Sequence, residues 1–480
     1  MSRYLAFDLG AESGRAIVGA LDGGKLAVDE LHRFPNTPVR EGEALYWDTE
    51  RLWGEIRQGI AAAAARHLAL DGIGIDTWGV DYGLLGADGT LIEKPRHYRD
   101  ARTNGMMEKL FEAVPRNEVF GYTGIQFMQF NTLFQLYSAK LAGSAALGSA
   151  CTLLNMPDLF NYRLTGVAKS EATIASTTQF FNPASMAWAT ELLDRLGLPA
   201  GILAPIVAPG TPLGKMLDKP HTTVFATAGH DTAAAVAAVP SKGGGDWCYI
   251  SSGTWSLMGL EMAAPVINEQ SLALNFTNEV GVSNTIRLLK NIAGLWLLQE
   301  CRRAWSLEGT EYNYEQLTGM AGEARAFSAL INPDAFLEPG EMPRKIAEHC
   351  RAAGQQPPAN HGEYARAILE SLALRYRQVL ESLERLGNRK IEVIHIVGGG
   401  SRNMVLNQFV ADCTGRPVVA GPSEATAIGN LLVQAIGAGE LRGLDDVRAV
   451  VRNSFAPVMI EPRQSAEWEG AYERFRKMVA

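Results

Sequence analysis

The sequence predicts an α/β protein with mixed β-sheets flanked by helices, built as two large domains. Three observations lead there. A chain of 480 residues is too long for one ordinary core. Its opening segment reads in the order hairpin, strand, helix, strand, which suits a mixed sheet. After a Pro/Gly-rich stretch from Ala204 to Pro220 the chain restarts in the same style, so the second half echoes the architecture of the first without echoing its sequence. The expected division is residues 1–218, residues 219–455 and a C-terminal helix over 456–480.

RYLAFDLG reads as a buried strand ending in an acidic residue and glycine. ESGRAIVGAL reads as the returning strand, and KLAVDELHRF, after the turn DGGK, as a third. LYWDTERLWGEIRQGIAAAAARHL predicts a helix capped by Asp48 or Thr49, with Leu52, Trp53, Ile56 and Ile60 on one face. LDGIGIDTWGVDYGLLGADG reads as strand, polar interruption, strand and turn. From Tyr98 to about Asp218 helical patterns alternate with loops. HTTVFATAGHDTAAAV then predicts a strand and a helix, and GDWCYISSGTWSLMGLE a second hairpin. GEYARAILESLALRYRQVLESLERLG predicts a long amphipathic helix, followed by the strand KIEVIHIVGGG.

Composition bounds the function. Hydrophobic residues make up 47% and charged residues 20%, as in soluble globular proteins. A net charge of −8 argues against nucleic acid or an anionic membrane as the main partner. The five cysteines are scattered without metal-type spacing, which suits reduced thiols in a cytosolic protein. The opening MSRYLAFDLG lacks the apolar core of a signal peptide, and no stretch approaches the roughly 18 apolar residues of a membrane span. A cytoplasmic location is expected.

Several segments carry candidate chemistry. In DLGAESGR, the turn with Gly10, Ser13 and Gly14 lets backbone N–H groups approach a phosphate, and Arg15 adds positive charge. Asp8, at the strand end, can hold Mg²⁺ through water. Glu12 must point outward, because a carboxylate inside a phosphate cradle repels the ligand. YISSGTWSLMG offers a second such turn, with Ser251, Ser252 and Thr254 around Gly253. In VGGGSRN a strand ends in three glycines and a helix begins near Ser401 or Asn403, so a flat base or an anion can come close. In GIDTWGVDYG, Trp78 beside Asp76 suits a sugar, and a core tryptophan with Asp76 capping a turn is the alternative. Arg99, Asp100 and Arg102 in HYRDART suit sugar contacts or a salt-bridged loop. In FATAGHDTAAAV, Asp231 or Thr232 can cap the helix, or Asp231 can be a catalytic carboxylate. The two roles are compatible: a strand ending at Gly229 and a helix starting near Thr232 would hold Asp231 at a helix N-terminus, which favours its ionised form. GxxxxGK[ST], HExxH, GxSxG, the protein-kinase motifs and an intact dinucleotide fingerprint are missing from the sequence.

The order DLGAESGR, GIDTWGVDYGLL, YRDART, GHDTAAAV, SSGTWSLMG, LKNIAGLWLLQ and VGGGSRN resembles the FGGY carbohydrate kinases over essentially the whole chain. IDTWGVD, SSGTWSLMG and LKNIAGLWLLQ are particular to the branch acting on L-rhamnulose rather than on glycerol or xylulose. The resemblance implies an actin/hexokinase-like fold of two ribonuclease-H-like domains, with ATP, Mg²⁺ and sugar in the cleft between them. It implies transfer of the γ-phosphoryl group to the 1-hydroxyl of L-rhamnulose, in L-rhamnose catabolism. Ala11, Glu12, Ser13, Gly14 and Arg15 would line the nucleotide phosphates. Gly79, His230, Asp231 and Thr232 would contact the sugar, alongside Asp76 and Trp78, and Asp231 would accept the proton. Thr254, Asn291, Gln299 and a glycine of the triplet, Gly400 in preference to Gly399, would bind ATP. A monomer or homodimer is expected. The rivals are a kinase for L-fuculose, L-ribulose or L-xylulose, and an actin-like ATPase or sugar-sensing module without transfer.

Overall fold

A computed structural model of the chain describes residues 1–66, 68–244, 246–463 and 466–479. The chain forms two compact units. The first comprises Met1–Lys242, Glu261–Leu288 and Ala425–Ser454, and the second Gly243–Leu260, Leu289–Glu424 and Phe455–Ala480.

The first sheet is built from β1 (Ser2–Leu9), β2 (Ser13–Asp22), β3 (Lys25–Pro35), β4 (Gly72–Thr77), β5 (Thr211–Met216) and β6 (Lys219–Ala226), in the order β5-β6-β4-β1-β2-β3. β1, β2 and β3 form an antiparallel meander. β4 runs parallel to β1, β6 parallel to β4, and β5 antiparallel to β6. The apolar strand residues Leu5, Phe7, Ile73 and Ile75 pack on Leu52, Ile56 and Ile60 of the helix Thr49–Ala65. Asp48 caps that helix by accepting the Arg51 N–H at 3.0 Å. Trp53 is only partly buried, and the Arg163 guanidinium covers its ring.

The second sheet contains β7 (Trp247–Ser252), β8 (Trp255–Met262), β9 (Ile286–Ala293), β10 (Val393–Val397), β11 (Val418–Ala420) and β12 (Val458–Ile460), in the order β9-β8-β7-β10-β11-β12, with a seventh strand, Thr277–Val280, at the edge beyond β9. β8 is antiparallel to β7, β10 parallel to β7, β11 parallel to β10, and β12 antiparallel to β11. The two sheets therefore share one plan: a hairpin with a third strand beside it, two parallel strands, and an antiparallel edge. The architectural echo read from the sequence is present. The long helix His361–Gly387 starts where expected, with the Asn360 side chain capping the Glu363 N–H.

The boundaries differ from expectation. Residue 218 lies in the turn between β5 and β6, and Thr223–Phe225 pair with Gly72–Gly74 of the first sheet. The prolines and glycines at 204–220 thus shape a loop and an edge hairpin, not a linker. The helix Ala425–Gly437 belongs to the first unit, where Gly429 lets it meet the helix Asp231–Ala237 closely: a Cβ on Gly429 would sit 1.8 Å from the Ala234 carbonyl oxygen. That contact explains the run of small residues after Asp231. Residues 456–480 form no separate piece, since Trp468, Tyr472 and Phe475 of the helix Ala466–Val479 are buried within the second unit.

Candidate active site

In the first unit, the parallel pairing of β1 with β4 sets Asp8 opposite Asp76. Across the hairpin Asp8 also faces Arg15, and the two form an ion pair. Gly10 closes the turn by donating its N–H to the Ser13 carbonyl at 2.9 Å. Ala11 and Ser13 are half-buried at its tip, and Glu12 is exposed, as a phosphate-facing turn requires. Gly14 has a packing reason of its own, because a Cβ there would lie 2.3 Å from the Phe34 ring. Asp76 is fully buried. Its Oδ2 accepts from Asn430 Nδ2 at 2.6 Å, and Oδ1 has no hydrogen-bond partner. Burial pushes its carboxyl well up, and the charges of Asp8 and Asp231 push the same way against the Asn430 bond.

The segment after β6 loops through Gly229 and enters the helix Asp231–Ala237. His230, not Asp231 or Thr232, occupies the capping position, and it makes no side-chain cap. Asp231 lies in the first turn with its side chain 31% exposed, and Thr232 Oγ1 donates to Asp231 Oδ1 at 3.1 Å. The capping reading therefore gives way to a carboxylate on the helix's first turn that is oriented by its neighbour. Glu171 fixes the approach: it accepts N–H bonds from Thr173 (2.8 Å), Ile174 (3.2 Å) and Gly229 (2.9 Å). Thr173 Oγ1 in turn accepts the His230 N–H at 3.1 Å.

Burial pushes the Glu171 carboxyl from its ordinary 4.5 up to about 7, against those hydrogen bonds. A carboxyl raised in the folded state contributes stability that is complete below pH 4.5 and lost as pH rises through about 7. From pH 5 to 8, the stability of the wild type relative to Glu171→Gln should fall by up to about 3 kcal/mol. Thermal midpoints of both proteins against pH check this, and a difference independent of pH would contradict it.

Trp78 is placed otherwise than a sugar platform requires. It is 5% exposed and packs on Trp47 with ring centroids 4.0 Å apart. Its Nε1 donates to Asp81 at 2.9 Å. Trp78 is thus a core tryptophan, and Asp76, also interior, bonds Asn430 instead of capping a turn. Gly79 packs on Thr177, and the following Val80 adopts φ +69°, strained for a β-branched residue. Three hydrogen bonds hold it there: its N–H to Thr177 Oγ1 at 3.1 Å, and its carbonyl from Thr132 Oγ1 at 2.6 Å and Gln135 Nε2 at 3.3 Å. HYRDART is tied to the segments around it, and Asp100 pairs with Arg96 at 3.6 Å. Asp100 accepts the Leu45 and Arg102 N–H groups, and Arg102 donates to Gln135.

Two side chains that the sequence reading missed complete this centre. Arg287 is fully buried, with Nη2 3.1 Å from His230 Nδ1 and 3.0 Å from Glu279 Oε2. Burial opposes ionisation of Glu279, yet its partners, the charge of Arg287 foremost, together outweigh it and hold the carboxyl below its usual range. The arginine inside the otherwise apolar IRLL was the available signal, while Glu279, in the polar stretch TNEV, offered none.

In the second unit, the turn after β7 is closed by the Gly253 N–H donating to the Trp255 carbonyl at 2.8 Å. The Leu295 and Trp296 N–H groups bond the Gly253 and Thr254 carbonyls at 3.1 Å, which joins this turn to the start of the helix Trp296–Leu307. Thr254, Asn291 and Gln299 are half-buried, and Gln299 Oε1 has no hydrogen-bond partner. Ser252 is buried beneath the glycine triplet, so its hydroxyl is not the open donor expected. A Cβ on Gly400 would lie 2.0 Å from Ser252 Oγ, and Gly398 has φ +82° with its Cβ site 3.0 Å from the Ser252 carbonyl. Gly399 is exposed and meets nothing. Two of the three glycines are thus required by packing, and Gly399 offers the open surface. Gly400→Ala should lower the thermal midpoint. Gly399→Ala should leave it unchanged and raise the KM for ATP, and equal behaviour of the two variants would contradict this division.

Family models place this geometry. Residues 3–238 match the N-terminal domain, and residues 248–438 the C-terminal domain, of the FGGY family of carbohydrate kinases. The chain belongs to that family. The kinase is 46% identical to the rhamnulokinase of Bacteroides thetaiotaomicron, over 99% of both chains. It is 42% identical to that of Pectobacterium carotovorum, over 100% of this chain and 97% of the relative. Against the rhamnulokinase of Bacillus subtilis the identity is 40%, over 96% and 95%. Among solved structures, the fold matches xylulose kinase from Lactobacillus acidophilus (TM-score 0.82, 15% identity, 100% and 98% covered). It also matches Plasmodium falciparum glycerol kinase with ADP (TM-score 0.78, 14% identity, 100% and 98% covered). The kinase is an ATP-dependent sugar kinase, and among the described residues no helix is long and apolar enough to cross a membrane.

Proposed function

We propose that this kinase transfers the γ-phosphoryl group of ATP to the 1-hydroxyl of L-rhamnulose, giving L-rhamnulose 1-phosphate and ADP, with Asp231 as the proton acceptor. The observation that carries the mechanism is the partly exposed Asp231 carboxylate, fixed on a buried framework beside His230 and Thr232. The choice of sugar rests on the near full-length similarity to rhamnulokinases.

Phosphoryl transfer needs positioning and charge stabilisation more than covalent participation. Thr232 Oγ1 and His230 Nε2 lie 3.1 and 3.4 Å from Asp231 Oδ1, which leaves Oδ2 to take the sugar proton as the O–P bond forms. His230 and Gly79 would hold the sugar. The turn from Ala11 to Arg15 would face the nucleotide phosphates, with Arg15 oriented by Asp8. Thr254, Asn291, Gln299 and Gly399 would bind the nucleotide in the second unit.

Mg²⁺ suits the donors present. Among the described residues no three His, Cys, Asp or Glu side chains are grouped to hold a metal by themselves. Mg²⁺ keeps several waters and takes one or two carboxylates plus phosphate oxygens. Asp8, with Asp76 and its unpartnered Oδ1 beside it in register, supplies hard oxygens of that kind. Bound there, Mg²⁺ would neutralise phosphate charge.

A coupled assay of ADP release against L-rhamnulose, L-fuculose, L-ribulose and L-xylulose tests this reading. Turnover highest with L-rhamnulose is expected. Preference for another ketose would replace the substrate, and sugar-independent turnover would favour an ATPase.

A further inference from the structure

We propose that Arg287, its charge balanced by Glu279, is a positioning residue that fixes the tautomer of His230, so that its Nε2–H points at the Asp231 carboxylate. This rests on the assignment of Asp231 as proton acceptor.

The geometry begins with a chemical asymmetry. A guanidinium has donors and no acceptor. Arg287 Nη2 lies 3.1 Å from His230 Nδ1, so Nδ1 must present its lone pair there. The ring proton then resides on Nε2, which is 3.4 Å from Asp231 Oδ1. The imidazole is thereby an acceptor on its buried side and a donor on its catalytic side. With the other tautomer, an Nδ1–H would crowd the nearer guanidinium and meet only Glu279 Oε2 at 3.3 Å, and a lone pair would face the Asp231 carboxylate.

Glu279 supplies the counterweight. Its Oε2 is 3.0 Å from Arg287 Nη2, an ion pair not aligned as a hydrogen bond, and 3.3 Å from His230 Nδ1. Without Arg287, that carboxylate would draw a proton onto Nδ1. Arg287 is anchored by its Nε, which donates to the Val280 carbonyl at 3.1 Å, so the fork cannot turn away. His230 is also fixed along its backbone, by the Thr173 hydroxyl and by a bridge to Thr77.

Stability alone accounts poorly for this arrangement. Burying two charges is costly, and apolar replacements of buried ion pairs are often neutral or stabilising. Arg287 Nη1 also lacks a hydrogen-bond partner, a further cost. What the pair achieves is a defined proton position on the residue next to the catalytic carboxylate.

The test is ¹⁵N NMR of the full-length kinase labelled on histidine, with His230 assigned by its loss in His230→Gln. The wild type should show Nδ1 as the unprotonated, acceptor nitrogen and Nε2 as the protonated one. Arg287→Met should shift His230 to the Nδ1–H or doubly protonated form and lower kcat at least tenfold, with the KM for ATP unchanged. Glu279→Gln, should Arg287→Met not fold, keeps Arg287 and should retain the Nε2–H form. Arg287→Lys, which keeps a donor, should restore part of the kcat lost in Arg287→Met. An Nδ1–H tautomer in the wild type overturns the inference, as does an unchanged His230 spectrum with normal kcat in Arg287→Met. The spectra do not depend on turnover, so they can fail while Asp231→Asn is inactive. An active Asp231→Asn would instead remove the reading beneath.

Discussion

Replacing Asp231 by asparagine should lower kcat by at least about 10²-fold, within the roughly 10²–10⁴ that a general base contributes. The carboxamide keeps the size of the side chain and an oxygen for Thr232 to bond, so the fold and the ATP site should be intact. What it loses is the ability to take a proton. The KM for ATP should stay nearly unchanged, because the residues proposed for the nucleotide lie on other elements: the hairpin turn Ala11–Arg15, Thr254, Asn291, Gln299 and Gly399. Steady-state kinetics with ATP varied at saturating sugar give both numbers. Near-wild-type turnover in a folded Asp231→Asn variant would remove Asp231 from the mechanism.

The second large effect concerns stability. Asp81 is nearly fully buried, and it accepts hydrogen bonds from Trp47 Nε1 (2.5 Å), Trp78 Nε1 (2.9 Å), the Tyr98 N–H (3.2 Å) and Gln135 Nε2 (3.0 Å). Burial pushes its carboxyl up to about 6, with the bonds from Trp47, Gln135 and Trp78 opposing. Asp81→Ala would leave the two indole N–H groups and the Tyr98 N–H without this acceptor in a packed interior, at about 1–3 kcal/mol each. A loss of about 4 kcal/mol or more is expected, which lowers the thermal midpoint by roughly 10 °C in a unit of this size. Asp81→Asn keeps a carbonyl for the two indoles and should lose less. A midpoint for Asp81→Ala within a degree or two of wild type would contradict this. The same network makes Trp78→Ala a packing variant, expected to cost roughly 3–5 kcal/mol rather than to act on sugar affinity alone.

Much of the fold could be read from local chemistry. Alternating apolar residues bounded by DGGK and SSGT marked the hairpins, and Asp48 and Asn360 cap the helices whose apolar stripes made them visible. The domain boundary could not be read, because a proline/glycine cluster signals a turn without saying whether a hairpin or a linker follows. β6 joins the first sheet through pairing with β4, a partner some 150 residues earlier, and no local pattern encodes that. The site divides in the same way. GHDT stood out because a carboxylate sits between an apolar strand and an alanine-rich helix. Trp78 misled, since an indole beside a carboxylate looks the same in sequence whether it meets a sugar or the Nε1–Asp81 bond of a core. In the triplet, the sequence could not separate Gly398 and Gly400, which make room for Ser252, from Gly399, which faces open space. Glu279 and Arg287 reach His230 only through tertiary folding.

The most direct test of the account is the ³¹P NMR spectrum of the product formed from ATP and L-rhamnulose. Among the hydroxyls of the open-chain ketose, only the one at position 1 is borne by a CH₂ group. The account predicts a new phosphate-ester resonance split by the two C1 methylene protons, as a triplet or doublet of doublets, appearing with ADP in equal amounts and at least about 10²-fold more slowly with Asp231→Asn. A doublet, or ADP formed with inorganic phosphate and no ester, would contradict it.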